Sequence, residues 1–335
     1  MSGADTYPAA GAVSPAEAAP QLSILMVNWN TRDMTLACLR SLYAETRETR
    51  IEVILIDNAS HDGSADAIAA EFPQVRLVRS GTNHGFAKAT NMAADLAQGA
   101  LFLLLNTDTV VLDRAIDKLV AFAAARPAAR MWGGRTVFGD RSLNKASCFA
   151  RITPWSAFCM ASGLAAAFKS SALFNPEAYG GWRRDTVREV DIVTGCLLLI
   201  ERDLWRQLKG FDETFFMYGE EADLCARARA AGARPAITPD TTIVHYGGAS
   251  ARQFADRICY VFGARIGLIQ RQFSPGWRGF GRAVTMAGAA WRAGAYGAIA
   301  RVSRNQRHVD SAREWGEAWR RRALWKNGPV ARALK

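Results

Sequence analysis

The chain has little that would let cysteine, apolar length or repetition explain it. Its six cysteines, Cys38, Cys148, Cys159, Cys196, Cys225 and Cys259, form no CxxC pair and no metal-ligand spacing. They read as reduced, mostly buried thiols of a cytoplasmic protein, not as a disulfide framework. Long apolar runs are missing too: the longest weakly polar window, Ala283 to Ala300, is mostly Ala and Gly and carries Arg292, so no spanning helix is expected. The first twenty residues lack both a basic start and an apolar stretch, which argues against a signal peptide. Rich in Ala, Pro and Gly, residues 1–20 are expected to be disordered. No internal repeat is visible, and no Gly-rich phosphate loop follows the first apolar run, as a nucleotidyltransferase would need.

What remains is an ordinary folded-enzyme composition, with 335 residues, 50% hydrophobic and 22% charged. The net charge of +11 is unevenly placed. From Ala251 to Lys335 there are 17 Lys and Arg against 4 Asp and Glu, while the rest holds 25 basic and 27 acidic residues. Basicity therefore belongs to the tail, and with no recognition motif beside it no nucleic-acid partner is expected.

The pattern predicts strands at Leu22–Val27, Ile51–Ile56, Val75–Val78 and Leu101–Leu105. Helices are expected from about Asp33, after Ser64, over Gly85–Ala97 and over Leu112–Ala125. This alternation implies α/β architecture with parallel strands and right-handed crossovers. Residues 140–188 look irregular and substrate-facing, and regular patterning resumes at Val190 to end near His245. The run Leu101–Leu105 ends in Asn106-Thr107-Asp108, and Ile51–Ile56 ends in Asp57. Carboxylates at the carboxyl ends of such strands lie where open α/β sheets bind ligands, so two of them point to a nucleotide and a metal ion.

Several motifs stand in order. They are Val27-Asn28-Trp29-Asn30, Asp57-Asn58-Ala59-Ser60, Asn83 to Asn91 and Asn106-Thr107-Asp108, then Val190 to Gly195, Gly210 to Tyr218, Glu220 to Leu224 and His245-Tyr246-Gly247-Gly248. With these the chain resembles the family 2 glycosyltransferases, especially the bacterial rhamnosyltransferase-like branch, over roughly Leu22 to Ser250. The resemblance implies the GT-A fold, a Rossmann-like, mixed, mostly parallel central sheet flanked by helices, followed here by a basic helical C-terminal extension. It also implies inverting transfer of a sugar from a nucleotide diphosphate to an acceptor hydroxyl. On that reading residues 21–250 are catalytic, with a nucleotide-sugar half over about 21–138 and an acceptor half over about 139–250, and 251–335 form the tail.

The departing diphosphate needs a hard cation, Mg2+ or Mn2+, held by one or two protein ligands. By resemblance Asp108 is one ligand, as the last carboxylate of an Asp-x-Asp motif whose first position is here Asn106, and His245 is the other. A neutral imidazole is required for coordination, so activity should fall at acidic pH. The acceptor hydroxyl needs a base. By resemblance that is Glu221, with Glu220 the other candidate, although paired carboxylates at a helix start also suit the macrodipole. Donor contacts are expected from Val27, Asn28, Asn30, Asp57, Asn58, Gly85, Phe86, Lys88, Asn91, Asn106, Thr107, Thr194 and Gly195. Acceptor contacts are expected from Asp191, Trp182 and Asp223, the last of which is equally a helix cap.

The tail carries Trp277, Trp291, Trp315, Trp319 and Trp325. Trp315 and Trp319 are placed to share one helical face near Arg320 and Arg322. That face suits an anionic membrane surface, which would make the protein peripheral on the inner face of the cell membrane; a packed cap or a homo-oligomer interface is the alternative. The expected donor is dTDP-rhamnose, or else a UDP-hexose or UDP-galactofuranose, and the acceptor is lipid-linked or a glycan in cell-envelope synthesis. A catalytically idle nucleotide-sugar-binding scaffold is the competing class, but it would need a metal or base position lost.

Overall fold

Continuous apolar strands need cover on both faces, and the chain supplies it. The computed structural model describes residues 19–247, 254–303 and 305–334. Gly248 and residues 1–18, in which most of the expected disordered segment falls, lie outside those described, as does the expected catalytic–tail boundary at 250 and 251. The first half runs β1 (Leu22–Asn28), α1 (Arg32–Glu45), β2 (Ile51–Asn58), α2 (Ser64–Glu71), β3 (Arg76–Ser80), α3 (Gly85–Leu96) and β4 (Leu101–Leu105). Next come β5 (Thr109–Val111), α4 (Ala115–Ala125), β6 (Met131–Val137), β7 (Leu143–Asn144), β8 (Cys148–Phe149), α5 (Pro154–Ser162) and α6 (Leu164–Ala167). The chain continues through β9 (Arg188–Glu189), β10 (Ile192–Val193), β11 (Leu197–Glu201), α7 (Arg202–Gln207), α8 (Glu220–Ala230) and β12 (Ala236–His245). It closes with α9 (Phe254–Gln272), α10 (Pro275–Val302) and α11 (Gln306–Arg320).

One sheet has the order β3-β2-β1-β4-β11-β6-β12-β5. Strands β3, β2, β1 and β4 are parallel, as the sequence predicts. Alternate residues serve opposite layers: Leu25, Ile54 and Leu104 pack with α3, while Ile24, Leu55 and Leu103 pack with α1 and α4. Beyond β4 the sheet is mixed, because β11 enters antiparallel between β4 and β6.

The helix expected from Leu112 begins only at Ala115. Thr109–Val111 is instead a strand, drawn into antiparallel pairing with the end of β12, and Asp113 and Arg114 take left-handed φ of 45° and 55° to turn out of it. Residues 140–188 are less irregular than expected. Helix α5 opens on Pro154 with a capping box, in which Thr153 accepts from the Ser156 amide and Ser156 from the Thr153 amide.

The C-terminal helices form a packed cap. Buried Arg265 of α9 makes a bidentate pair with Glu177 at 2.8 and 2.6 Å, and Arg271 bonds Asp223 at 2.8 Å. Tyr260 stacks on Phe216, whose amide donates to the Val330 carbonyl. The expected lipid-facing pair is turned inward. Trp315 and Trp319 are partly buried against Phe262 and the fully buried Trp325, because helix packing, not solvent, claims that face.

Candidate active site

The β5–β12 pairing brings the two ends of the site together. His245 lies opposite Thr109, so its imidazole meets Asp108, with Nε2 3.4 Å from Oδ1. The Tyr246 amide donates to the Asp108 carbonyl at 3.1 Å and locks the juxtaposition. Burial alone would depress the imidazole's pKa, yet Cys196 and Asp108 beside it raise it to about 10. Among the described residues no group of three or more His, Cys, Asp or Glu is placed to hold a metal ion.

Gly219, in the left-handed conformation at φ 90°, starts α8. A Cβ there would lie 2.8 Å from Ala264 of α9, so close docking of the tail sets where the helix begins. Glu220 is buried and its Oε2 has no hydrogen-bond partner, whereas Glu221 keeps partial access to solvent. Burial raises both carboxyls, Glu220 well above the ordinary range, with Glu221 beside it adding to that. The Tyr218 phenol also feels the charges of Arg257, Glu220, Glu221 and Asp108. Burial is the main cause raising that phenol. Cys196, Tyr218 and Arg257 were missed in the sequence; only Tyr218, next to the glutamates, gave a signal there.

The donor residues divide sharply. Asn28 is fully buried, and its carboxamide is filled: Oδ1 accepts from Thr31 and Thr35, and Nδ2 donates to Asp57 and Ser60. Its side chain has no capacity left for a nucleotide, so it positions Asp57 instead. Asn58 likewise donates to Asn83 and the Gly85 carbonyl and accepts from the His84 amide, stitching β2 to the start of α3. Asn91 exchanges two hydrogen bonds with the backbone of Phe211, which corrects its expected place at the nucleotide edge. Thr107 meets Thr31, and Thr194 donates to the Ala146 carbonyl, so neither hydroxyl faces a cleft.

Gly85 has φ of 80°, and a Cβ there would sit 2.3 Å from the Phe216 carbonyl. The glycine thus admits protein backbone, where a nucleotide was expected; the Phe86 amide donates to that same carbonyl at 2.7 Å. Gly195 lies beside the Phe86 ring, which tilts against Phe211. Val27, Asn106, Asp57 and Asn30 remain at the carboxyl ends of β1, β2 and β4, and Lys88 is exposed on α3. Asn30 Nδ2 is buried without a partner while its Oδ1 accepts from the His61 amide.

The acceptor candidates are engaged by arginines. Asp191 pairs with Arg229 at 3.0 Å and accepts from the Arg151 amide, and Asp223 pairs with Arg227 and Arg271. Trp182 lies under Arg184 and Arg188 and donates to Thr186. A cleft of about 1030 Å3 is lined by Asp191 and Asp223 but by none of Asp108, His245, Glu220 or Glu221. Its arginines are largely spent on neighbouring carboxylates.

Residues 23–190 match the family model described as Glycosyl transferase family 2. The chain is 30% identical over 213 residues to the N-acetylglucosaminyl-diphospho-decaprenol L-rhamnosyltransferase of Mycobacterium tuberculosis, a match covering 59% of this chain and 67% of that one. It is 28% identical over 241 residues to the O-antigen biosynthesis protein RfbC of Myxococcus xanthus, covering 71% of this chain but 18% of that longer protein. A mannosyltransferase from Pyrobaculum calidifontis, solved with GDP-Man and Mn2+, aligns with a TM-score of 0.54 at 18% identity, covering 92% of this chain and 88% of that one. That likeness shows the GT-A fold. With strand order, rim carboxylates and family match in agreement, the chain belongs to glycosyl transferase family 2, on its rhamnosyltransferase-like side.

Proposed function

We propose that the protein transfers a sugar, with inversion, from a nucleoside diphosphate to a hydroxyl of a lipid-linked or polysaccharide acceptor in cell-envelope glycan synthesis. The observation carrying this reading is the Asp108–His245 pair at the sheet rim. Mg2+ or Mn2+ fits there: such ions take one or two protein ligands and complete their shell with phosphate oxygens and water. Asp108 and His245 would hold the ion, which on binding would displace the proton that Cys196 and Asp108 otherwise favour on the imidazole, and would neutralise charge developing on the leaving diphosphate. Asn30 Nδ2, His245 Nδ1 and Glu220 Oε2 are buried polar atoms without protein partners, groups that a bound ligand could satisfy.

Asp57, oriented by Asn28, would receive the base or ribose. Glu221, half-buried and raised by burial, would take the acceptor proton, while the closed-in Glu220 shapes its surroundings. The donor of first choice is dTDP-rhamnose, supported by the names of the Mycobacterium relative and of the rhamnosyltransferase WbbL of Escherichia coli, 37% identical over 70 residues. A UDP-hexose or UDP-galactofuranose is the alternative. The test is thermal stabilisation by a panel of nucleotide sugars with Mn2+ or Mg2+, for the native chain and Asp108→Ala. A metal-dependent shift with dTDP-rhamnose that disappears in Asp108→Ala is expected; an undiminished shift in the variant would remove the proposed metal site.

A further inference from the structure

Residues 208–219 join α7 to α8 and deliver Glu220 and Glu221, and their backbone is not relaxed. Tyr218 and Gly219 take consecutive left-handed φ of 66° and 90° immediately before the two glutamates. A tyrosine in that conformation costs free energy and persists only where its surroundings hold it. The holding groups come from distant parts of the chain. The Phe216 carbonyl accepts from the Phe86 amide of α3, and the Phe216 amide donates to the Val330 carbonyl beyond α11.

The earlier part of the segment is held through one carboxylate, that of Asp223. Arg227 of α8 bonds Asp223 through Nε at 2.7 Å and donates to the carbonyls of Leu208 and Gly210. Arg271, near the end of α9, donates to Asp223 at 2.8 Å and to the Thr214 hydroxyl at 2.9 Å. It also pairs with Asp212 at 2.8 Å, and its guanidinium lies 4.7 Å from the centre of the Phe215 ring. The Asp223 amide closes the first turn of α8 on the Gly219 carbonyl at 3.0 Å. Asp223 is thus buried where segment, helix and cap meet. Docking of the cap has other anchors: Arg265 with Glu177, Arg292 with the Met160 and Ala161 carbonyls, and Tyr260 on Phe216.

We propose that Arg271 is a positioning residue for the transfer: by fastening Asp212, Thr214 and Phe215 to Asp223 it sets the turn that carries Glu221, without touching substrate. The inference rests on the reading of Glu221 as the base, and it makes the C-terminal cap part of the catalytic apparatus. A planar fork suits the task. It meets two carboxylates and a hydroxyl at fixed angles, which the compact ammonium of a lysine does not. Displacing a catalytic group by about 1 Å lowers turnover roughly a hundredfold, and the donor site at the sheet rim is left intact.

The experiment compares the full native chain with Arg271→Ala and Arg271→Lys. Amide hydrogen exchange without ligand reads the segment, and Mn2+-dependent thermal stabilisation by dTDP-rhamnose reads donor binding. Release of dTDP from dTDP-rhamnose, with water as acceptor, gives kcat and KM. In Arg271→Ala, residues 211–221 are expected to exchange at least about tenfold faster, while residues 255–268 of α9 keep native protection. Its kcat is expected to fall about tenfold to a hundredfold, with donor KM within about twofold of native. Arg271→Lys keeps the charge, so it should fold as the native chain does and show smaller changes of both kinds in the same direction. Its exchange and kcat carry the test if the alanine variant fails to fold. Native exchange and native kcat in the variants would overturn the proposal, as would a raised donor KM with kcat unchanged. A lowered kcat without faster exchange would overturn it too, because Arg271 would then act on the substrate itself. A native chain that neither binds nor cleaves dTDP-rhamnose would count against the transfer reading instead. Exchange would then decide alone, faster exchange supporting the role of Arg271 in holding the turn and native exchange removing it.

Discussion

Asn28→Ala separates positioning from direct contact at the donor end. The native carboxamide makes four hydrogen bonds, at 2.7 Å to Asp57, 3.0 Å to Ser60 and 2.8 Å from each of Thr31 and Thr35. At about 1 kcal/mol net per bond, their loss costs about 4 kcal/mol. That is a large part of the 5–15 kcal/mol typical of a folded domain, so urea unfolding should show a clear drop in midpoint. Asp57 keeps only its bond from the Ser60 amide at 3.2 Å and loses its aim. A misaligned charge-assisted contact of about 1.5–3 kcal/mol raises the donor KM roughly tenfold to a hundredfold, with a smaller effect on kcat. Stability and donor KM should therefore move together. A rise in donor KM with less than about 1 kcal/mol lost from folding would refute the reasoning, since it would mean that the Asn28 side chain touches the nucleotide itself.

Three other outcomes are expected. Glu221→Gln should keep donor-induced thermal stabilisation and lose about a hundredfold to ten-thousandfold in turnover. In the native chain, burial raises this carboxyl, so the acid limb of kcat/KM should lie above the ordinary carboxylate range; a limb at or below it would move the base elsewhere. Arg265→Ala should cost up to about 3 kcal/mol in denaturant unfolding, because it leaves partly buried Glu177 unpaired beneath α9. Burial works against Glu177's charge, but Arg265 holds its pKa below the usual value. The pair's stabilisation should thus be full above the unfolded carboxylate pKa and fade as pH falls through the lowered one, a trend absent from the variant. Gly85→Ala puts a Cβ against the Phe216 carbonyl in a left-handed backbone, so it should displace the segment leading to Glu220 and lower both melting temperature and turnover. Native values for both would show that the close approach is unimportant.

Much of the scaffold was readable because local pattern and tertiary role coincide. Leu101–Leu105 is apolar at every position, and the strand has those bounds, since burial on both faces demands such a run. Asp57 and Asp108 were legible for the same reason, as charges that end buried strands. Side chains with several hydrogen-bonding choices were not. Asn28, Asn58 and Asn91 look alike as polar residues in binding motifs, and only their neighbours decide whether a carboxamide faces a ligand or is consumed by protein. Trp315 and Trp319 misled similarly: a shared helical face is visible in sequence, but not which way it turns.

The order of residues alone determined the α/β alternation, the strand-end carboxylates and the concentration of basic charge in the tail, because periodicity, burial and net charge are properties of short stretches. Folding in three dimensions decided the rest. It inserted β11 antiparallel, paired β5 with β12 so that His245 reached Asp108, and turned α10 instead of α11 outward. Each of these depends on which distant backbone or helix face completes a hydrogen-bond ladder or an apolar contact, and no local spacing carries that information.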